Sequence, residues 1–162
     1  MPKINLIVIG SIKEKYWQSA IAEYTKRLAA FCTLEIVELK EESFAPNDDL
    51  DRVKKREAEK ILTNIAKRQK TNVQSVVYVL DENGVQFSSE TFAQKMDEIA
   101  NRGETIFFVI GGALGLDPSV LNMAHKTLSL SKMTFTHQMA RVILLEQIYR
   151  AQMIGHGRKY HY

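Results

Sequence analysis

The sequence predicts an α/β fold in which helices cover both faces of a mostly parallel sheet. Short apolar runs alternate with segments of helical periodicity along all 162 residues. The most apolar run, residues 105–110, lies between two helical segments, as expected of a central buried strand. No repeat, low-complexity tract or linker interrupts this pattern, so a single domain over residues 1–162 is expected.

The first half of the chain contains two predicted strands and two predicted helices. Residues 4–10 form a continuous apolar run typical of a buried strand, and residues 34–39 alternate only partly, which favours a strand nearer the edge. Residues 13–31 and 49–69 have helical spacing, with a polar loop containing Pro46 between the second strand and the second helix. The apolar stripes of these helices are Trp17, Ile21, Tyr24, Leu28 and Phe31, then Val53, Ile61, Leu62 and Ile65.

The second half repeats the alternation with clear start and stop signals. A strand at 75–80 is followed by the turn signal Glu82-Asn83-Gly84. Ser88 or Ser89 should cap a helix that ends at Gly103. After the strand at 105–110, Asp117-Pro118 indicates another helix start. A short strand at 127–130 and a helix at 136–155 complete the pattern.

Composition excludes several classes of protein. Apolar residues make up 45% and charged residues 25%, ordinary values for a folded domain, and the net charge of +3 is too weak to identify a nucleic-acid binder. Cys32 is the only cysteine, so no intrachain disulfide framework exists. The apolar run at 4–9 is too short to span a bilayer and has no signal-peptide cleavage pattern. We expect a cytoplasmic protein without a membrane segment.

A glycine turn follows the most apolar strand. The segment VIGGALGL at 109–116 precedes a helix, and ligands of open α/β sheets bind beyond such strand ends. A P-loop would need Gly-Lys-Ser/Thr, and a dinucleotide site would need G-x-G-x-x-G with an acidic residue about 20 positions later; neither pattern is present. A nucleoside-like ligand held by backbone groups and a tight turn without ligand both remain open.

A stretch without carboxylates follows the turn. Residues 118–145 carry His125, Lys126, Lys132, His137 and Arg141 but no Asp or Glu, although the chain has 19 acidic residues. This pattern indicates either an anionic partner such as phosphate, or a buried segment that excludes charge. The cluster at 54–56 (KKR) has glutamates beside it and is typical of a solvated helix face.

The last helix and the tail carry the remaining candidates. The helix is apolar nearly all round, which indicates a covered surface on every side and hence a homodimer. Glu146 and Arg150 have the spacing of a helix-stabilising pair. The tail GHGRKYHY at 155–162 has groups that bind phosphate, stack on a base or move a proton, although glycine-flanked ends usually fray.

Linked motifs over the whole chain resemble the RlmH family of SPOUT-class methyltransferases. In the amino-terminal part they are VIG at 8–10, KEKYW at 13–17, EY at 23–24 and KRL at 26–28. In the carboxyl-terminal part they are IGG with Gly115, LSLSKMTF at 128–135, HQM at 137–139, RV at 141–142, EQIYRA at 146–151 and YH at 160–161.

The resemblance implies a SPOUT fold with a carboxyl-terminal trefoil knot, a homodimer, and S-adenosylmethionine as the cofactor. It implies methyl transfer to N3 of a pseudouridine in large-subunit (23S) ribosomal RNA on assembled ribosomes, which requires no metal. The cofactor contacts carried over by motif are Leu80, Gly111, Gly112, Gly115, Leu130, Ser131, Lys132, Met133, Thr134 and Phe135.

The catalytic residues implied by the resemblance lie near the end of the chain. Tyr160 and His161 would complete the site by accepting the N3 proton or by orienting the base, and the sequence does not choose between these roles. Glu146 and Arg150 would hold the tail of the same or the partner subunit.

Two positions depart from the family pattern. Thr136 stands where proline is common, and Lys159 where proline or a small residue is common. Threonine is a good N-cap, so the fold should survive, but a less rigid loop would weaken cofactor binding.

Three other functions remain open. The first is a SPOUT methyltransferase with another RNA target, and the second is a non-catalytic ribosome-associated RNA-binding factor. The third is a flavodoxin-like nucleotide-binding regulator, against which the missing phosphate-binding signatures argue.

Overall fold

Five parallel strands form one sheet in the order β2-β1-β4-β3-β5. The computed structural model describes residues 1–158 and 160. The predicted parallel sheet is confirmed, with the 105–110 strand at its centre and the partly alternating second strand at an edge. The strands are β1 Lys3–Ile9, β2 Thr33–Leu39, β3 Ser75–Val85, β4 Thr105–Ile110 and β5 Lys126–Leu128.

Helices cover both faces of this sheet, as predicted. The helices are α1 Lys15–Leu28, α2 Leu50–Arg68, α3 Ser89–Asn101, α4 Pro118–Met123 and α5 His137–Gly155. One core cluster joins the sheet to α1, α3 and α5, and a second joins it to α2 and α4. Because successive strand residues point to opposite faces, Phe108 of β4 belongs to the first cluster and Phe107 to the second.

The predicted helix starts are confirmed by their caps. The Ser88 side chain accepts a hydrogen bond from the Thr91 amide at 3.1 Å, and Asp117 accepts one from the Ser119 amide at 3.0 Å. Thr136 caps α5 through the Met139 amide at 3.4 Å, so the departure from proline is compatible with this helix start. Helix α1 is shorter than predicted, and Phe31 lies beyond its end.

Two predicted boundaries near the site were wrong. The third strand does not stop at Leu80 but runs to Val85, so the segment read as a turn is extended and carries a register shift. A Cβ at Gly84 would lie 2.6 Å from the Thr127 carbonyl oxygen, so only glycine allows this close approach of β5. Strand β5 ends at Leu128, which places Leu130 in the following loop.

Parallel strands bring the loops after Ile9, Leu39, Ile110 and Leu128 to the same edge of the sheet. This carboxyl edge also receives the first turn of α5. Three segments that are distant from Leu80 in sequence therefore lie together at this edge. They are the glycine turn, the loop at 129–136 and the amino-terminal end of α5.

Candidate active site

A cavity of about 750 Å³ opens at the carboxyl edge of the sheet. Its size lies in the range of small-molecule sites. Three segments form most of its wall: the β3 residues at 80–82, the glycine turn at 110–116, and the loop and first turn of α5 between 128 and 140. The wall combines apolar side chains with carboxylates and hydroxyls, which suits a ligand that is partly apolar and partly charged.

Nine of the ten predicted cofactor contacts line this cavity, and Lys132, which is exposed, does not. That they bind S-adenosylmethionine stays a prediction. The residues that line it are Leu80, Gly111, Gly112, Gly115, Leu130, Ser131, Met133, Thr134 and Phe135.

The glycine turn is closed by its own backbone and packed tightly from behind. The Gly115 amide donates to the Gly112 carbonyl at 3.1 Å, and Gly115 has a φ of +77°, which favours glycine. A Cβ at Gly111 would lie 2.8 Å from the Leu116 side chain. A Cβ at Gly112 would lie 3.0 Å from Ile9 and 3.2 Å from the Glu57 carboxylate.

Glu57 is a buried residue behind the glycine turn that the sequence analysis missed. It lies on the buried stripe of α2 with Val53 and Ile61, at a spacing of four residues. Its carboxylate accepts a hydrogen bond from the Glu42 amide at 3.1 Å, which connects the β2–α2 loop to the turn. Burial raises the pKa of Glu57.

The loop between β5 and α5 is held by short side-chain contacts. The Ser129 hydroxyl donates to the Ser131 carbonyl at 2.9 Å, and the Ser131 hydroxyl accepts from the Met133 amide at 3.0 Å. Met133 is 76% exposed and Phe135 is 40% exposed, so this wall of the cavity presents apolar side chains to solvent.

His137 begins α5 and forms part of the cavity wall, although it was not among the predicted contacts. Its ring faces Gly10, whose φ is +97°, and a Cβ at Gly10 would lie 3.0 Å from the ring. Burial and then the Arg141 guanidinium lower the pKa of His137, so the imidazole is neutral at neutral pH. Its Nδ1 atom is buried and has no hydrogen-bond partner among the described residues.

Arg141 belongs to the core rather than to an anion-binding surface. It is 1% exposed, forms an ion pair with Glu38, and donates to the Gly10 carbonyl at 3.2 Å. The Nδ1 atom of His125 accepts from the Val77 amide at 3.1 Å. The basic stretch is thus part buried and part solvent-facing, with Lys126 and Lys132 exposed.

The predicted catalytic residues form a second cluster on α5 and the tail. Arg150 donates to Glu146 at 2.6 and 3.1 Å and to the Tyr160 carbonyl at 3.3 Å. The Arg150 guanidinium lies 4.7 Å from the centre of the Tyr160 ring, and Tyr149 meets that ring edge-on at 5.1 Å. The fourth predicted residue, His161, lies outside the described residues.

This cluster does not line the cavity of its own chain. His137 borders the cavity, and Arg150 lies 13 positions later on the same helix. At a rise of about 1.5 Å per residue, the two positions are roughly 20 Å apart along the axis. The structure therefore brings the predicted cofactor contacts together and brings Glu146, Arg150 and Tyr160 together, but it keeps the two groups apart within one chain.

Asp81 and Glu82 also line the cavity and were not predicted as site residues; their place in the wall follows from their extended conformation after Leu80. Among the described residues, no group of three or more His, Cys, Asp or Glu side chains is arranged to hold a metal ion. In the same part of the chain, no helix has the length and apolar character needed to cross a membrane.

Comparison with known proteins shows the family of this chain. The family model described as "Predicted SPOUT methyltransferase" matches residues 2–161. The chain belongs to the SPOUT methyltransferase family. The protein called Ribosomal RNA large subunit methyltransferase H from Acetivibrio thermocellus is 46% identical, with 98% of this chain and 99% of the relative covered. The protein of the same name from Exiguobacterium sibiricum is 45% identical with the same coverage.

Solved structures confirm the SPOUT fold. A probable methylase family protein from Haemophilus influenzae has a TM-score of 0.56 at 14% identity, covering 99% of this chain and 71% of that one. The SpoU methyltransferase AviRb from Streptomyces viridochromogenes, solved with AdoMet, has a TM-score of 0.50 at 11% identity, covering 94% and 59%. A putative methylase family protein from Neisseria gonorrhoeae has a TM-score of 0.51 at 12% identity, covering 91% and 82%.

Proposed function

We propose that this protein transfers a methyl group from S-adenosylmethionine to N3 of a pseudouridine in large-subunit ribosomal RNA, acting on assembled ribosomes. The observation that carries the proposal is identity of 45–46% over nearly full length to two proteins named Ribosomal RNA large subunit methyltransferase H. The motif resemblance supplies the nucleotide, the target atom and the assembled ribosome. A ribosomal substrate also favours a cytoplasmic location.

The residues around the cavity fit this cofactor. Leu80, Leu116 and Leu130 offer apolar surface to an adenine ring, and Asp81 and Glu82 offer negative charge to a cation. Gly111, Gly112 and Gly115 line the cavity without side chains, so backbone groups of the turn face it. Bound there, S-adenosylmethionine supplies a methyl group already activated by its sulfonium, and the cavity wall holds and orients it.

The chain's own groups must position the base and remove the N3 proton. Tyr160 or His161 would accept that proton or orient the base, and Arg150, fixed by Glu146, would hold the tail backbone at Tyr160. These roles need the tail beside a cofactor cavity. The separation of roughly 20 Å along α5 favours a homodimer in which two chains combine their clusters.

The surface of α5 also favours a homodimer. Met139 is 40% exposed, and Val142, Ile143, Met153 and Ile154 are half-buried, so the helix presents apolar surface that one chain does not cover. The proposed architecture also includes a carboxyl-terminal trefoil knot within a single domain of 162 residues.

The first test is transfer of labelled methyl from S-adenosylmethionine to ribosomes that lack the modification. Free large-subunit RNA is assayed in parallel, and the labelled nucleoside is identified. We expect label in N3-methylpseudouridine on ribosomes. Label in another nucleoside would indicate a different SPOUT target, and folded protein that binds ribosomes without transferring methyl would indicate an RNA-binding factor.

A truncation after Gly157 tests the role of the tail. We expect it to keep cofactor binding and to lose methyl transfer. A separate variant, Met139→Asp, tests dimer formation, which sedimentation measures. Full transfer by the truncated protein would contradict the assignment of Tyr160 and His161. A monomeric wild type that is fully active would contradict the homodimer.

A further inference from the structure

The Tyr160 ring packs against Tyr149 and Arg150 of α5, and Tyr24 and Arg27 of α1 pack in turn against Tyr149. We call these four residues the tail seat. The Tyr24 ring lies 6.3 Å from the Tyr149 ring. The Arg27 guanidinium lies 5.9 Å from the centre of the Tyr24 ring and 5.7 Å from that of Tyr149, a geometry suited to cation–π attraction.

Electrostatic interactions connect α1 to the tail. Burial raises the pKa of Tyr24, and interaction with Tyr160 and then with the Glu146 carboxylate raises it further. Glu23 accepts a hydrogen bond from Arg27 at 2.7 Å, one turn earlier on the same helix, and orients the guanidinium over the two rings. Tyr24 therefore interacts with both the tail and the Glu146–Arg150 pair.

We propose that Tyr24 and Arg27 are positioning residues that seat the carboxyl-terminal tail for methyl transfer. Neither residue lines the cavity of its own chain; they act by fixing Tyr160, which directly precedes His161 in the sequence. The proposal rests on the proposed function, because a seated tail matters for activity only if the tail completes the active site.

The position of Arg27 separates this role from support of the core. Arg27 has a side chain 45% exposed, whereas Tyr24 is half-buried and packs against the first core cluster. The next residue, Leu28, is fully buried and carries the packing of this part of α1 on the sheet. Removing the Arg27 guanidinium opens no internal cavity, so a change in tail position is expected without loss of the fold.

Limited trypsin digestion measures the seating of the tail directly, without any assay of activity. Arg158 and Lys159 are trypsin sites beside Tyr160, and intact mass reports cleavage there. We expect Tyr24→Ala and Arg27→Ala to raise the initial cleavage rate at these bonds about tenfold. Lys26→Ala is the matched control for charge on the same turn, and Tyr16→Ala is the control for an exposed aromatic ring on the same helix.

Kinetics then show whether the seat matters for the reaction. We expect the two seat variants to lower kcat about tenfold, while KM for S-adenosylmethionine and cofactor Kd stay close to wild type. The melting temperature of Arg27→Ala should also stay close to wild type, because this side chain is exposed. Tyr24→Phe keeps the ring and should recover most of the tail protection and of kcat. Both controls should match the wild type.

Several outcomes would overturn the proposal. These are wild-type cleavage rates in both seat variants, wild-type kcat despite faster cleavage, or equal effects in the two controls. If Tyr24→Ala does not fold, the exposed Arg27→Ala decides alone. A wild-type protein that never transfers methyl would refute the proposed function, whereas the digestion result would still show whether α1 seats the tail.

Discussion

The Glu57 carboxylate lies directly behind Gly112, so that a Cβ on the glycine would sit 3.2 Å from its Oε2 atom. The same carboxylate accepts a hydrogen bond from the Glu42 amide at 3.1 Å. One buried acidic side chain on α2 therefore contacts both the turn that borders the cavity and the loop after β2. A side chain at position 112 would therefore displace either this carboxylate or the turn.

Gly112→Ala should weaken cofactor binding because the new methyl group meets Glu57 and, at 3.0 Å, Ile9. We expect a loss of roughly 1–3 kcal/mol in the free energy of unfolding and about tenfold weaker S-adenosylmethionine binding by calorimetry. Combining it with Glu57→Ala removes one of the two neighbours. The combined variant should therefore lose less than the sum of the two single changes. Strict additivity would show that Glu57 does not hold the turn.

Glu57→Gln should change how stability depends on pH. Because burial raises the pKa of Glu57 in the folded state, the folded protein binds its proton more tightly than the unfolded chain does. The contribution to stability is complete below the unfolded pKa, near 4.5, and is lost as pH rises through the higher folded value. Urea unfolding from acid to neutral pH measures this change. The free energy of unfolding of the variant should increase relative to that of the wild type as pH rises. Parallel curves would contradict a raised pKa.

Local patterns predicted most of the sheet but not its ends. The bounds of β4 were predicted correctly because a short, wholly apolar run predicts a buried strand of the same length. The end of β3 was missed because Asp81 to Gly84 has turn-like residues, and pairing with the short β5 keeps it extended. Glu57 was detectable in principle, since it occupies a buried-stripe position four residues from Val53 and from Ile61.

Contacts distant in sequence lay beyond any such pattern. Arg141 appeared in the sequence as one basic residue of an acid-free stretch, and its partner Glu38 lies 103 positions away on an edge strand. The i,i+4 spacing of Glu146 and Arg150 predicted their ion pair, whereas the contribution of Arg27 to the same cluster depends on how α1 packs on α5. The periodicity of the sequence predicts which face of a helix is buried. The residues that pack against that face are known only from the folded sheet.

His137→Gln should remove a pH dependence of cofactor binding. The pKa of His137 is lowered by burial and by Arg141, so the folded protein keeps the ring neutral below pH 6.5, where the unfolded chain already binds the proton. As pH falls through the lower folded pKa, a positive ring in the cavity wall would repel a cationic cofactor. Titration calorimetry between about pH 7.5 and 5 should show affinity falling in the wild type and changing less in the variant. Equal slopes would place the titrating group elsewhere.

Thr136→Pro should strengthen cofactor binding. Thr136 has a φ of −60°, which proline adopts without strain, and its cap bond to the Met139 amide is long at 3.4 Å. Loss of the cap costs about 1 kcal/mol, and the reduced freedom of the unfolded chain returns about 0.4–1 kcal/mol, so stability should change little. A stiffer loop at 129–136 has less entropy to lose on closing over a ligand, so we expect a severalfold lower Kd for S-adenosylmethionine. Thr136→Ala removes the cap without adding stiffness and should show the stability loss alone. Weaker binding by the proline variant at unchanged stability would mean that this loop must move, rather than stay fixed, for the cofactor to bind.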